Sequence, residues 1–220
     1  MADQAAARVA LVAGATGLVG REVLAALLAD KAYSKVHCVG RRAPPVTHRK
    51  LTCHTVDLKA LPALPPVDDV YIALGTTIKV AGSQAAFRAV DYEAVVAVAQ
   101  AARASGATKL GVVSAMGANP RSAVFYNRVK GEMQDAVCEL GFDSVVIVQP
   151  SFIAGDRGSL QQPGRSAEGW ALSAMRWLDP LVPANYKTVR AEQVARALIG
   201  AVKAGQPGVQ QILSGRMQAP

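Results

Sequence analysis

The stretch "RVALVAGATGLVGREVLAALLAD", Arg8 to Asp30, decides the fold. Its opening "RVALVAG" is a short apolar run that reads as a strand, and "GLVGREVLAALLAD" repeats apolar residues at three- and four-residue spacing, the signature of an amphipathic helix. Gly14, Gly17 and Gly20 punctuate the join. A helix N-terminus presents unpaired backbone N–H groups and the positive end of the helix dipole, which suits a pyrophosphate, and glycines allow the tight turn and close backbone approach. The same glycines could serve a plain strand-to-helix turn that needs positive φ. Their place directly after the first strand favours dinucleotide binding, with Gly14, Thr16, Gly17, Leu18, Val19 and Gly20 as the candidate contacts.

Outward from this unit, short apolar runs alternate with longer helical segments as far as Pro150. "KVHCVG", "LTCHTVD", "DVYIALG", "KLGVVSA" and "SVVIVQP" read as strands two to six. "QAAFRAVDYEAVVAVAQAARASG" reads as one long helix ending at Gly106, and "AVFYNRVKGEMQDAVCELG" as a helix ending at Gly141. Strands apolar on both faces and separated by helices belong in a parallel sheet covered on both sides. The expected fold class is α/β, a doubly wound parallel sheet (a Rossmann fold). One domain is expected over residues 1–220, with a core at about 8–153 and a short C-terminal elaboration at 154–220. In that elaboration "SFIAGDRGSLQQPGRS" is rich in turn residues, "AEGWALSAMRWL" and "RAEQVARALIGAVKAG" look helical, and "GVQQILSG" reads as a last strand. Trp170, Met175 and Trp177 could line a substrate pocket or belong to core or interface.

Composition limits the classes of function. Of 220 residues, 51% are hydrophobic and 18% charged, enough for a buried core and unlike a disordered chain. No stretch carries the roughly 18 uninterrupted apolar residues of a membrane span, and acidic Asp3 and the three glycines argue against a secretion signal at the N-terminus. Cys38, Cys53 and Cys138 are an odd set without CxxC spacing, which suits a reducing compartment. His37, His48 and His54 have no second ligand at metal spacing, so no metal is expected. A cytoplasmic protein is the expectation. The net charge of +8 comes from scattered basic residues without interleaved aromatics, which argues against a nucleic-acid partner and for a phosphate-rich cofactor.

The end of strand two faces the adenosine ribose in a dinucleotide fold, where an acid suits a free 2′-hydroxyl and an arginine a 2′-phosphate. This chain has Gly40, Arg41 and Arg42 there and no acid. Guanidinium groups hold phosphate through forked, charge-assisted hydrogen bonds, so NADP(H) is expected in preference to NAD(H), which remains possible. Asp57 and Leu58 end strand three, where they could flank the adenine or simply begin a loop. Leu74, Gly75, Thr76 and Thr77 end strand four at the carboxyl edge where ligands bind in such sheets, and Lys79 could reach the phosphates or be solvated.

Tyr126 and Lys130 stand four positions apart on a helix and so share a face. A phenol with a reference pKa near 10 is a poor base at neutral pH, but a neighbouring ammonium favours the phenolate. The pair can work as an acid–base device, and Ser114, at the end of strand five, could hydrogen-bond a substrate carbonyl. An incidental surface pair has the same spacing. The agreement of glycine loop, serine and Tyr/Lys pair in one register favours chemistry.

The combination "GATGLVG", Ser114 and "YNRVK" resembles the short-chain dehydrogenase/reductase superfamily, whose pattern is Ser followed by Tyr-x-x-x-Lys. "SKVHCVGRR", "LGTT", "VDYEAVVAVAQAA", "YNRVKGEM" and "TVRAEQVARALI" resemble its atypical branch, which includes the Tat-interactive oxidoreductase-like NAD(P)-binding proteins. The resemblance implies an oxidoreductase that moves a hydride between nicotinamide and a small carbonyl or alcohol. Tyr126 would exchange the proton, Lys130 would bind the nicotinamide ribose and lower the phenol pKa, and Ser114 would orient the carbonyl. Pro150, Ser151, Phe152 and Ile153 would lie against the nicotinamide end. The superfamily's relay asparagine has no clear counterpart in the helix from Gln84 to Arg103. Two other readings follow from the same branch: an NADP(H)-sensing regulator or scaffold with a protein partner or homo-oligomeric contact, and an NAD(P)-dependent epimerase or dehydratase.

Overall fold

In a computed structural model of the chain, residues 7–154 and 184–218 are described. The stretch expected to carry a helix with Trp170, Met175 and Trp177 lies outside the described residues. Strand β1 (Arg8–Ala13) leads through the glycine loop into helix α1 (Leu18–Ala29), and β2 (Tyr33–Gly40), β3 (Leu51–Thr55) and β4 (Asp69–Ile72) follow. Single-turn α2 (Ile78–Ala81) and α3 (Gln84–Arg88) precede α4 (Ala94–Ala104), β5 (Lys109–Val113), α5 (Phe125–Cys138) and β6 (Ser144–Gln149). Short β7 (Ile153–Ala154) pairs in parallel with β8 (Val189–Arg190), and α6 (Ala191–Ala204), β9 (Gly208–Leu213) and α7 (Ser214–Met217) complete the described chain.

Seven strands form one sheet in the order β3-β2-β1-β4-β5-β6-β9, and every neighbouring pair is parallel. This is a Rossmann-like α/β sheet. Its order reverses between β1 and β4, so a crevice opens beyond the carboxyl ends of those strands. Strands β4 and β6 are buried along their whole length, whereas the edge strand β3 exposes Thr52, Cys53 and Thr55.

Each face of the sheet has its own core. On one, α1 buries Val23, Leu24 and Leu27 and α6 buries Val194, Leu198 and Val202. On the other, α4 contributes Val95, Val98 and Ala102, and α5 contributes Met133 and Val137. Burying a side chain of this size stabilises by about 1.5–3 kcal/mol, which fixes both helical layers. At the amino edge, away from the crevice, the Tyr33 hydroxyl donates to Asp69 at 2.6 Å, and Arg8 pairs with the same carboxylate.

One expected element differs. The single helix expected from Gln84 to Gly106 is interrupted by a π-turn at Ala89–Glu93. The wider turn re-phases the helix so that Asp91 points inward and is wholly buried. Gly106, at φ +98°, ends α4 as expected.

Candidate cofactor and catalytic cleft

The phosphate end is made of backbone. Gly14 has φ +86°, and a Cβ there would lie 2.5 Å from the carbonyl oxygen of Ala73. A Cβ on Gly20 would come within 2.0 Å of the Gly14 carbonyl oxygen. Both positions therefore exclude any side chain, because the loop from β1 presses on the chain leaving β4 and α1 presses on the loop. Gly17 is the N-cap of α1, no side chain caps it, and the first turn holds no acidic residue. The opening amides of a helix have no intrahelical partner, so this end is left for an anion.

A cavity of about 460 Å³ lies against this loop. Of the expected contacts, Gly14, Thr16 and Gly17 line it from the loop, Arg41 and Arg42 from the end of β2, Leu58 from beyond β3, and Leu74, Gly75 and Thr76 from beyond β4. Leu18, Val19 and Gly20 form the first turn of α1 and are not among its lining residues. Asp57 faces solvent, where its carboxylate accepts from the backbone N–H of Lys59 at 3.0 Å. The Thr77 hydroxyl caps α2 by accepting from Val80 N–H at 3.1 Å, and Lys79 is exposed on that turn. Neither is part of the cavity wall. Cys38, Cys53 and His54, which the sequence reading did not place here, line it from β2 and β3. Burial pushes the Cys38 thiol up to about 12, with Cys53 beside it adding to the rise.

The opposite end is made of side chains. Ser114 follows β5 and is buried, and its Oγ accepts from Gln134 Nε2 at 2.6 Å. Gln134 Oε1 in turn accepts from Gln149 Nε2 at 3.1 Å. Lys130 Nζ lies 2.7 Å from Asp91 Oδ1, and Asp91 Oδ2 accepts the Thr76 N–H at 2.8 Å. The Tyr126 ring packs on Phe87 with centroids 5.3 Å apart. Lys130 Nζ stands 3.9 Å from where a Cβ on Gly75 would be, behind a residue of the cavity wall; Ser114, Tyr126 and Lys130 are not themselves among the lining residues.

Of the four residues expected at the nicotinamide end, Pro150 is buried and its carbonyl accepts from Met116 N–H at 3.0 Å. Ser151 is tied to the C-terminal segment: its N–H donates to Ser214 Oγ at 2.7 Å and its hydroxyl to the Lys187 carbonyl at 2.5 Å. Phe152 is exposed, and Ile153 begins β7 opposite Val189. Asp91, Gln134 and Gln149 were not singled out in the sequence. Gln134 had a signal, since it lies one turn beyond Lys130 on the helix face that carries Tyr126 and Lys130. Asp91 had a weaker one, an acid inside an apolar helical run.

Chemically, the arrangement offers an anion site, a hydroxyl whose oxygen accepts from an amide and which keeps its own proton to donate, and a buried ammonium beside Gly75 of the cavity wall.

Residues 14–167 match the family described as NAD(P)H-binding. The chain belongs to this NAD(P)H-binding family. Over 211 residues it is 33% identical to the mitochondrial protein fmp52 of Aspergillus clavatus, a match that covers 89% of this chain and 86% of the relative. A short-chain dehydrogenase family protein from Francisella tularensis has the same fold, with a TM-score of 0.69 at 16% identity over 97% of this chain and 100% of the other. MoeE5 in complex with UDP-glucose and NAD gives a TM-score of 0.69 at 16% identity, covering 93% and 74%.

The expectation of a cytoplasmic location is corrected by these relatives. The fmp52 protein is named mitochondrial, as are further fungal proteins of that name. Unpaired cysteines suit any reducing compartment, and so they could not separate the two locations.

Proposed function

We propose that the protein is an NADP(H)-dependent oxidoreductase acting on a small carbonyl or alcohol, in a mitochondrial setting like that of its relatives' names. The observation that carries this reading is the nearness of the two ends of the cleft: a Cβ on Gly75, in the cavity wall that also holds Arg41 and Arg42, would lie 3.4 Å from Asp91 Oδ1 and 3.9 Å from Lys130 Nζ. The residues fit a dinucleotide. The glycine cradle leaves room only for backbone at Gly14 and Gly20, the α1 amides face an anion, and two exposed guanidiniums at the end of β2 suit a 2′-phosphate.

When bound, the nicotinamide would supply or accept the hydride. Lys130 would hold the ribose hydroxyls, Ser114 would donate its proton to the substrate oxygen, and Tyr126 would give or take the proton that balances the hydride. A hydroxyl that accepts from Gln134 keeps its own proton to donate, which suits a carbonyl oxygen or the oxyanion that develops on it.

Fluorescence titration of the purified protein with NADPH and with NADH tests the cofactor assignment. NADPH should bind more tightly, and equal affinity for the two would remove the NADP(H) preference. Turnover of a panel of ketones and aldehydes by wild type and Tyr126→Phe tests the chemistry. Loss of turnover with cofactor affinity kept supports it, and full turnover by the variant would remove Tyr126 from the mechanism. Binding of NADPH without turnover of any panel member would favour the sensing role over the enzymatic one.

A further inference from the structure

Asp91 is 0% exposed, and Lys130 is 4% exposed. A buried ammonium facing a buried carboxylate is costly to assemble and is retained where it fixes a geometry. The cost is increased here by the π-turn at Ala89–Glu93, an irregular turn that brings Asp91 inward. The carboxylate serves two elements at once. One oxygen lies 2.7 Å from Lys130 Nζ on α5, and the other accepts the N–H of Thr76, in the segment that lines the cavity beyond β4.

An ammonium has three N–H donors and no acceptor. The ion pair with Asp91 removes the side chain's freedom to swing, and the ammonium keeps donors for a ligand. We propose that Asp91 is the positioning residue of the cleft: it aims the ammonium of Lys130 at a pair of vicinal hydroxyls, those of the nicotinamide ribose, and holds the Leu74–Thr77 segment in register with them. This rests on the cofactor reading given above. Asp91 touches neither cofactor nor substrate in this role and acts through Lys130 and Thr76.

The charge change gives the test its sign. Removing a negative charge would by itself tighten an anionic cofactor, so a loss of affinity on neutralising Asp91 is the mark of lost positioning. Dissociation constants for NADPH and for adenosine 2′,5′-bisphosphate, which lacks the nicotinamide ribose, should be measured by calorimetry. The proteins are wild type, Asp91→Asn, Lys130→Met and the double variant. Asparagine keeps an acceptor for Thr76 N–H, so the fold is expected to survive, as circular dichroism would show.

Asp91→Asn should weaken NADPH about tenfold, the scale of a lost charge-assisted contact, and leave the bisphosphate within about twofold. The double variant should be no weaker than Lys130→Met alone, because residues that act as a unit are not additive. Unchanged or tighter NADPH binding in Asp91→Asn, equal losses for both ligands, or full additivity with Lys130→Met would each overturn the inference while leaving the cofactor site standing. A wild type that binds neither ligand would overturn the cofactor reading itself and this inference with it.

Discussion

The two ends of the cleft are built by different means. At the phosphate end the walls are backbone: glycines at 14, 17 and 20, the open amides of α1, and loops pressed so closely that no Cβ fits at two positions. At the other end two polar side chains are held by buried ones, Ser114 by Gln134, itself bonded to Gln149, and Lys130 by Asp91. A backbone site tolerates no change of shape and depends little on its neighbours' chemistry. A side-chain site tolerates small changes of shape but fails if a partner is removed.

The largest effect should come from breaking the backbone end. Gly20→Ala places a Cβ 2.0 Å from the Gly14 carbonyl oxygen, and only a shift of α1 relieves it. A destabilisation of about 3 kcal/mol is expected, at the upper end for overpacking, with loss of cofactor binding. Urea unfolding and NADPH titration measure both. A variant as stable as wild type would show that the loop is softer than its contacts indicate. Next in size, the Arg41→Ala, Arg42→Ala double variant should weaken NADPH about 10- to 100-fold and NADH about twofold or less, as expected for forked contacts to a 2′-phosphate. Equal losses for the two cofactors would leave these arginines as general attraction for anions.

The same division explains what could be read in the sequence. Gly14 and Gly20 were legible because a backbone requirement maps onto one residue type at fixed spacing. The strands were legible because burial on both faces leaves near-continuous apolar runs such as "SVVIVQ". Ser114, Tyr126 and Lys130 were legible as types and spacing. Their partners were not. Asp91 meets Lys130 across 39 positions of sequence, and the π-turn that aims it leaves the apolar spacing of α4 unbroken at Ala94, Val95, Val98 and Ala99. Asp57 and Thr77 were read as contacts because they end strands at the right edge, yet the first closes its own turn and the second caps α2. Short polar side chains at strand ends serve turns and caps as readily as ligands.

The side-chain end can be probed at Gln134, which is buried between two partners. Gln134→Leu removes the donor to Ser114 and leaves Gln149 Nε2 without this acceptor. A loss of about 2 kcal/mol is expected from the stranded buried groups, measured by urea unfolding, with adenosine 2′,5′-bisphosphate affinity unchanged. If that affinity fell as well, the two ends would not be independent and the contrast between them would break.

The smallest effect sharpens the comparison from the phosphate side, where a hydrogen-bonded histidine pair occurs. His54 lines the cavity, and its Nε2 lies 2.9 Å from Nδ1 of buried His37. Burial first, and then His54 and Lys35, hold His37 down at about 4 against an ordinary 6.5. The native fold therefore favours neutral His37, while the unfolded chain takes up its proton near the ordinary value. The sign follows: this contribution to stability is fully present above pH 6.5 and is lost progressively as pH falls towards 4. Between pH 7.5 and 5.5 the loss should be about 1 kcal/mol. His37→Gln should lack that part of the slope, because glutamine does not titrate, so urea midpoints for the two proteins should converge as the pH falls. Parallel slopes would mean that the pair takes up a proton in the native state without penalty. The titration of this pair would then contribute nothing to stability, and the phosphate end would depend on its backbone and on the charges of Arg41 and Arg42.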